Sequence, residues 1–292
     1  MSTNPSDESR LGISGRVLAD ARDQGRAALV GYLPVGYPDV PGSIDAMRAL
    51  VEGSNGRGVD MVEVGMPYSD PVMDGLAIQH ATTRALERGV RTSDVFRAVE
   101  AVSTAGATPV VMIYWNLVDR YGVDRFARDL RNAGGAGLIT PDLTPDEAGE
   151  WVTASDAHGL DRIFLVSPSS TDERLASTLA ACRGWVYATA VMGVTGARKT
   201  TSTAAPILVE RIRRADPTLP VGIGLGVSNG QQAAELVGVG DAVIVGSALV
   251  NHLLRSEEQG TRDLAPLRQL VDELAAGVRG ESSVNTMGRV EG

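Results

Sequence analysis

Lysine is almost absent from this 292-residue sequence: Lys199 is the only one, and it falls in a polar segment rather than in a strand. A Schiff-base aldolase or a pyridoxal-phosphate enzyme needs a lysine amine held rigidly in a desolvated pocket, so that route is poorly supported. Cysteine is as scarce. The single Cys182 excludes an intrachain disulfide and fits a reducing compartment. Its helix-like Leu-Ala-Ala-Cys setting reads as a core thiol ahead of a nucleophile. The three histidines, His80, His158 and His252, are far apart and lack metal-ligand spacing. They read as surface or interhelix residues, and no metal ligand is assigned. Long apolar runs are missing as well, none reaching the roughly 18 residues that would cross a bilayer. Residues 1–9 carry Asp7 and Glu8 with no apolar stretch of the secretion-signal type. A cytoplasmic protein with no membrane partner is expected. An excess of basic charge is also absent, since net charge is -9 and the pI near 4.9, which argues against a nucleic-acid partner.

What is present is an alternation of strand and helix signals. Short apolar runs at 27–33, 61–65, 109–114, 137–140, 162–166, 185–189, 220–224 and 242–245 read as strands. Between them lie amphipathic stretches, such as Ile44, Met47, Leu50 and Val51 behind Ser43, or Val95, Phe96, Val99 and Val102 behind Ser93. Thr144 to Glu147, Ser170 with Glu173, and Ser228 with Gln231 read as helix-capping boxes. Eight strands separated by helices predict an α/β fold, a single (β/α)8 TIM barrel of the usual length. An extra N-terminal helix over 16–24 and a C-terminal helix over 264–278 complete it. The expected organisation is a loose tail over 1–13, the barrel over 14–280 and a second tail over 281–292.

Two features carry chemistry. Glu63 interrupts an otherwise apolar strand, and burying a carboxylate costs several kcal/mol unless it is paired or protonated. Asp70 and Asp74 follow in a Pro/Gly-punctuated loop. An acid in a strand with an acid-bearing loop at its C-terminal end suggests proton transfer, because barrel active sites are built there. Asp74 also fits a simple Asx-type turn before Gly75. The second feature is the glycine set Gly222, Gly224 and Gly226 after the seventh strand, with Gly246 and Ser247 after the eighth. These loops are the usual phosphate site of such barrels. Backbone N–H groups there approach an anion closely, with a helix N-terminus at Ser247 behind them, although glycines at 224 and 226 also suit a tight turn. A further glycine loop, Gly193 to Ala197, reads as a lid with more N–H donors.

The run Glu63-Val64-Gly65-Met66-Pro67-Tyr68-Ser69-Asp70-Pro71 with Asp74-Gly75 resembles the tryptophan synthase α subunit family. So do Tyr114-Trp115-Asn116, Pro141-Asp142-Leu143, Met192-Gly193-Val194-Thr195-Gly196 and Gly224-Leu225-Gly226-Val227-Ser228, all in order and at compatible spacing. The resemblance implies a lyase of tryptophan biosynthesis. It would cleave indole-3-glycerol phosphate by a retro-aldol step and pass indole to a β subunit in an α2β2 heterotetramer. Pyridoxal phosphate would then belong to the partner and no cofactor to this chain. By the same resemblance Glu63 shuttles protons and Asp74 accepts the indole N–H. Tyr187 is an active-site tyrosine, and Thr195 is a lid residue that contacts the loop aspartate. Tyr32 and Tyr114 are expected either in the indole pocket or as core aromatics, and Gly196, Gly224, Gly226, Gly246 and Ser247 at the phosphate. Leu76 stands where the family usually has proline, and Val191-Met192 where many members carry Arg-Ser. The alternatives are a stand-alone lyase releasing free indole and a phosphosugar isomerase or epimerase on the same barrel.

Overall fold

The structure, a computed structural model, describes residues 9–71, 73–189 and 204–281. In the first half the helices are Ser14–Asp23 (α1), Val40–Glu52 (α2), Leu76–Glu87 (α3), Asp94–Ala105 (α4), Trp115–Tyr121 (α5) and Val123–Asn132 (α6). They alternate with strands Ala28–Pro34 (β1), Met61–Gly65 (β2), Thr108–Met112 (β3) and Gly137–Ile139 (β4). Beyond a 3-10 turn at Pro145–Glu147 come helix Gly149–His158 (α7), strands Asp161–Ile163 (β5) and Leu165–Val166 (β6), and helix Asp172–Ala181 (α8). The chain finishes with Val186–Thr189 (β7), Ala204–Ala215 (α9), Val221–Gly224 (β8), Gly230–Glu235 (α10), Ala242–Val245 (β9), Ser247–Glu258 (α11) and Ala265–Arg279 (α12).

The segments pair in parallel in the order β5-β4-β3-β2-β1-β9-β8-β7-β6. The two ends of that order, β5 and β6, are halves of one strand broken at Phe164: Ile163 pairs with Ile139 of β4, and Leu165 pairs with Tyr187 of β7. The ring of eight parallel strands is therefore closed by one chain segment, and the expected (β/α)8 barrel is the fold. Strands β1, β2 and β9 are buried along their whole length, as strands with a barrel interior on one side and helices on the other must be. Helices present one apolar stripe each; in α6 it is Val123, Phe126, Ala127 and Leu130, at helical spacing.

Helix α1 closes the N-terminal end of the barrel. Leu18 and Ala21 pack against the inward-facing Val30, Met61, Val110, Ile139, Ile163, Trp185 and Ile244. Its attachment is a buried carboxylate: Asp161 accepts from the main-chain N–H of Ile13 and Ser14 and from Ser14 Oγ, the last two at 2.6 Å. Arg10 is not loose, as expected of a tail over 1–13. It donates to Asp216 and to the Leu179 carbonyl at 2.6 Å each, and its own carbonyl accepts from Gly184. With this end filled, open space remains only toward the C-terminal ends of the strands.

Several helix starts differ from expectation by a few residues. Asp39, not Ser43, caps α2 by accepting from Gly42 N, and Ser43 lies inside the helix with its hydroxyl accepting from Gly36 N. Thr171, not Ser170, caps α8, and Asn229, not Ser228, caps α10 by accepting from Gln232 N. Each of the three residues that cap has an extended backbone, as an N-cap requires. Thr144 makes no main-chain cap at all, because Pro145–Glu147 is a single 3-10 turn and α7 begins only at Gly149.

Candidate active site

Parallel register sets Tyr32 of β1, Glu63 of β2 and Val110 of β3 side by side. Residues in register on neighbouring strands face the same side, and here that side is the barrel interior. Glu63 is only 2 % exposed, and its Oε2 has no hydrogen-bond partner. Burial, with a smaller contribution from the Asp74 charge, pushes its carboxyl from the ordinary 4.5 to about 8. Asp74 lies at the end of the loop that joins β2 to α3 and is half-buried. Burial raises its carboxyl from 3.8 to about 6. Near neutral pH the pair therefore holds one proton, on Glu63, and one negative charge, on Asp74.

These two acids share a cavity of about 120 Å³ with Tyr32, Tyr114, Tyr187, Gly224, Gly226, Gly246 and Ser247. The described site candidates thus meet at one place, except Asp70, which is exposed, and Gly222, which packs against Trp185. Thr195 and Gly196, like Val191, Met192 and Lys199, lie outside the described residues. The tyrosines are buried, which raises Tyr32 and Tyr187 well above the ordinary phenol value and Tyr114 to about 12. They are neutral donors at any working pH. Two glycines make room for them. A Cβ on Gly65 would fall 2.4 Å from the Tyr32 ring, and one on Gly224 would fall 2.6 Å from the Tyr187 hydroxyl. Gly224 therefore has a packing reason to lack a side chain beyond any contact with an anion.

Among the described residues that line the opposite wall there is no cationic side chain. Gly246 is the N-cap of α11 and offers no capping side chain. The first N–H groups of a helix have no acceptor within it, and Gly246 and Ser247, at the start of α11, line the cavity. Gly226, at φ +70°, is in a backbone conformation that favours glycine. Between the two polar ends the cavity is apolar, with Ile78, Met112, Leu165 and Ile244 in its lining. Sequence reasoning missed these four. Met112, Leu165 and Ile244 sit at or near strand C-termini, the one signal that marks them, but as apolar strand residues they read as ordinary core.

Outside this cavity Cys182 and His158 are in structural settings. Cys182 is buried, which pushes its thiol up to about 12, and His158 Nε2 bonds Asp124 at 2.8 Å. Among the described residues no group of three His, Cys, Asp or Glu side chains is arranged to hold a metal ion.

A closed parallel barrel with a buried, protonated acid and an ionised acid toward the C-terminal ends of its strands has the layout of a TIM-barrel enzyme. The family model for the tryptophan synthase alpha chain matches residues 18–279. The tryptophan synthase alpha chain of Mycobacterium avium is 59 % identical over 279 residues, covering 96 % of this chain and 98 % of that one. The alpha chain of Mycobacterium tuberculosis is 59 % identical over 274 residues, covering 94 % and 96 %. The solved structure of M. tuberculosis tryptophan synthase superposes with a TM-score of 0.85 at 58 % identity, covering 92 % of this chain and 98 % of that one. A mutant α-subunit from Pyrococcus furiosus gives 0.76 at 30 % identity, with 85 % and 98 % covered. The chain belongs to the tryptophan synthase α chain family, lyases that cleave indole-3-glycerol phosphate in tryptophan biosynthesis. Members of this family work with a β subunit.

Proposed function

We propose that Glu63 and Asp74 carry out the cleavage of indole-3-glycerol phosphate in the cavity between β1, β2, β8 and β9. Protonated Glu63 delivers its proton to C3 of the indole, creating an indoleninium, and its carboxylate then takes the proton from the hydroxyl on the adjacent glycerol carbon. The electron pair of that O–H bond becomes the aldehyde π bond, and the C3–carbon bond breaks and returns its pair to the ring. Indole and glyceraldehyde 3-phosphate result, with no net gain or loss of protons. Asp74 stays ionised and accepts the indole N–H, stabilising the positive charge as it develops. The observation that carries this reading is the unpartnered, buried Glu63 carboxyl held near 8 beside an acid near 6. The aromatic ring would lie on Ile78, Met112, Leu165 and Ile244 between Tyr32, Tyr114 and Tyr187. The substrate phosphate would meet the N–H groups of Gly224 to Gly226 and Gly246 to Ser247.

The same reading assigns no cofactor to this chain and leaves pyridoxal phosphate to a β subunit, in a cytoplasmic α2β2 assembly built on one barrel domain over 14–280. Among the described residues no helix is long and apolar enough to cross a membrane. Support for the docking face comes from the loop that carries Asp74 and the start of α3: Met73 is 42 % and Leu76 79 % exposed, two of the three large apolar side chains left in solvent among the described residues. Asp70 and Pro71 belong to the same loop. Turnover of indole-3-glycerol phosphate with and without a β subunit tests the proposal. Acceleration by the partner is expected; equal rates would favour a lyase that releases free indole, and a product other than indole would remove the reading altogether.

A further inference from the structure

The segment that carries Asp74 has little holding it in place. Between Met66, whose N–H donates to the Met112 carbonyl, and Gly75, whose carbonyl accepts from Gln79 N, the described residues form no helix or strand, and Met73 sits in a turn. Ser69 Oγ donates to Asp70 Oδ2 at 2.6 Å. Gly75, the N-cap of α3, has no side chain with which to fix the start of that helix. Yet the site reading requires the Asp74 carboxylate to stay over the cavity, opposite Glu63.

One side chain reaches back to do this. Gln79 Nε2 donates to the main-chain carbonyl of Asp74 at 2.8 Å, spanning the N-terminus of α3. Gln79 is itself well anchored, since it lies in the first turns of α3 next to the buried Ile78, whose side chain lines the cavity. Thr82 Oγ1 donates to the carbonyls of both Ile78 and Gln79. We infer that Gln79 is a positioning residue for the lyase reaction: by holding the Asp74 carbonyl it fixes the direction in which the Asp74 carboxylate points. This rests on the assignment of Asp74 as the acceptor of the substrate N–H. A half-buried glutamine on a helix otherwise has no reason to turn toward the preceding loop, because water satisfies its amide equally well.

The test is a double-mutant cycle on steady-state indole-3-glycerol phosphate cleavage. Gln79→Met keeps length and removes the donor. It is expected to lower kcat about 10-fold, the scale of a modest misplacement of a reacting group, with little change in KM because the phosphate contacts lie elsewhere. In an Asp74→Asn background the same substitution is expected to cost less than 2-fold, since a residue acting through Asp74 has nothing left to position. Gln79→Glu is a second variant of equal size whose ionised carboxylate faces the carbonyl. Its activity relative to wild type should fall as that carboxylate forms and recover toward low pH, where a protonated acid donates again. An equal loss in both backgrounds, or wild-type kcat in Gln79→Met, overturns the inference. If Asp74→Asn alone keeps wild-type turnover, it is the assignment of Asp74 that fails.

Discussion

Replacing Glu63 by glutamine should stabilise the protein, and by an amount that grows with pH. In the native state burial raises the Glu63 carboxyl from 4.5 to about 8, whereas in the unfolded chain it titrates at its ordinary value. The folded state therefore binds the extra proton between those two pH values, and stability is lost as pH rises through that window and is level above it. At about 1.4 kcal/mol per unit, the penalty comes to about 1 kcal/mol at pH 5 and about 5 kcal/mol at pH 8.5. Glutamine keeps the shape of the protonated acid and cannot ionise, so its own desolvation cost is the same at every pH. The gap between Glu63→Gln and wild type should thus widen by about 4 kcal/mol from pH 5 to pH 8.5, equivalent to about 8 °C in Tm for a domain of this size. Asp74 and every other titrating group are common to both proteins and cancel in the comparison. Thermal melts of both proteins at matched ionic strength across that range provide the assay. A gap that stays constant with pH would refute a raised Glu63, and with it the argument that this acid is kept for proton transfer.

Glu63→Gln should also lose roughly 10²-fold or more of its cleavage rate while retaining substrate binding, the scale for removing a general acid and base; steady-state kinetics with a binding titration of a substrate analogue checks both halves. Asp74→Asn should cost a similar factor by removing the charge opposite the indoleninium. The kcat/KM profile of wild type should be bell-shaped, rising near pH 6 as Asp74 ionises and falling near pH 8 as Glu63 loses its proton. Because the Asp74 charge helps to raise Glu63, the residual activity of Asp74→Asn should lose its acid limb and have its basic limb moved to lower pH. Cleavage should be unchanged in excess chelator, and a dependence on added divalent metal would contradict an acid–base mechanism carried by carboxylates alone.

The parts of this fold legible in the sequence were those with one dominant physical signal. Eight apolar runs set between helical periodicities specify strands buried on both faces, and Glu63 stands out because nothing else in its strand is polar. Register and exact boundaries were less legible. The break at Phe164 leaves no trace in a run that reads Arg-Ile-Phe-Leu-Val, because it arises from pairing with β4 on one side and β7 on the other. Helix starts slipped by a residue where Ser170 precedes Thr171 and Ser228 precedes Asn229, since both members of each pair can cap. Arg10 was invisible for a different reason: its partners Leu179 and Asp216 are remote in sequence. The site followed the same pattern. Acids, tyrosines and glycines could be gathered from the sequence, but the apolar wall of Ile78, Met112, Leu165 and Ile244 could not be told from core.

The two helices that flank the cavity are also tied to each other although they come from opposite ends of the chain. Asp74 is delivered by α3, and the N–H groups at Ser247 by α11. Near the far ends of these helices Glu257 of α11 accepts from Tyr37 Oη at 2.6 Å and from Arg84 and Arg88, the last residue of α3's C-terminal flank. Despite the cost of burial, those three hydrogen bonds hold its carboxyl at about 2, so the clamp stays charged throughout the range in which Glu63 and Asp74 titrate. Tyr37 ties in the loop after β1, the strand that supplies Tyr32. Tyr32 in turn has Gly65 of β2 on one side, and its ring is the nearest group to Gly246 of the phosphate end on the other. A shift of either helix would therefore be felt at both ends of the cavity. The span between the Asp74 end of α3 and the start of α11 is therefore fixed in part by this pair of helices, while Glu63, on β2, is held by the strands.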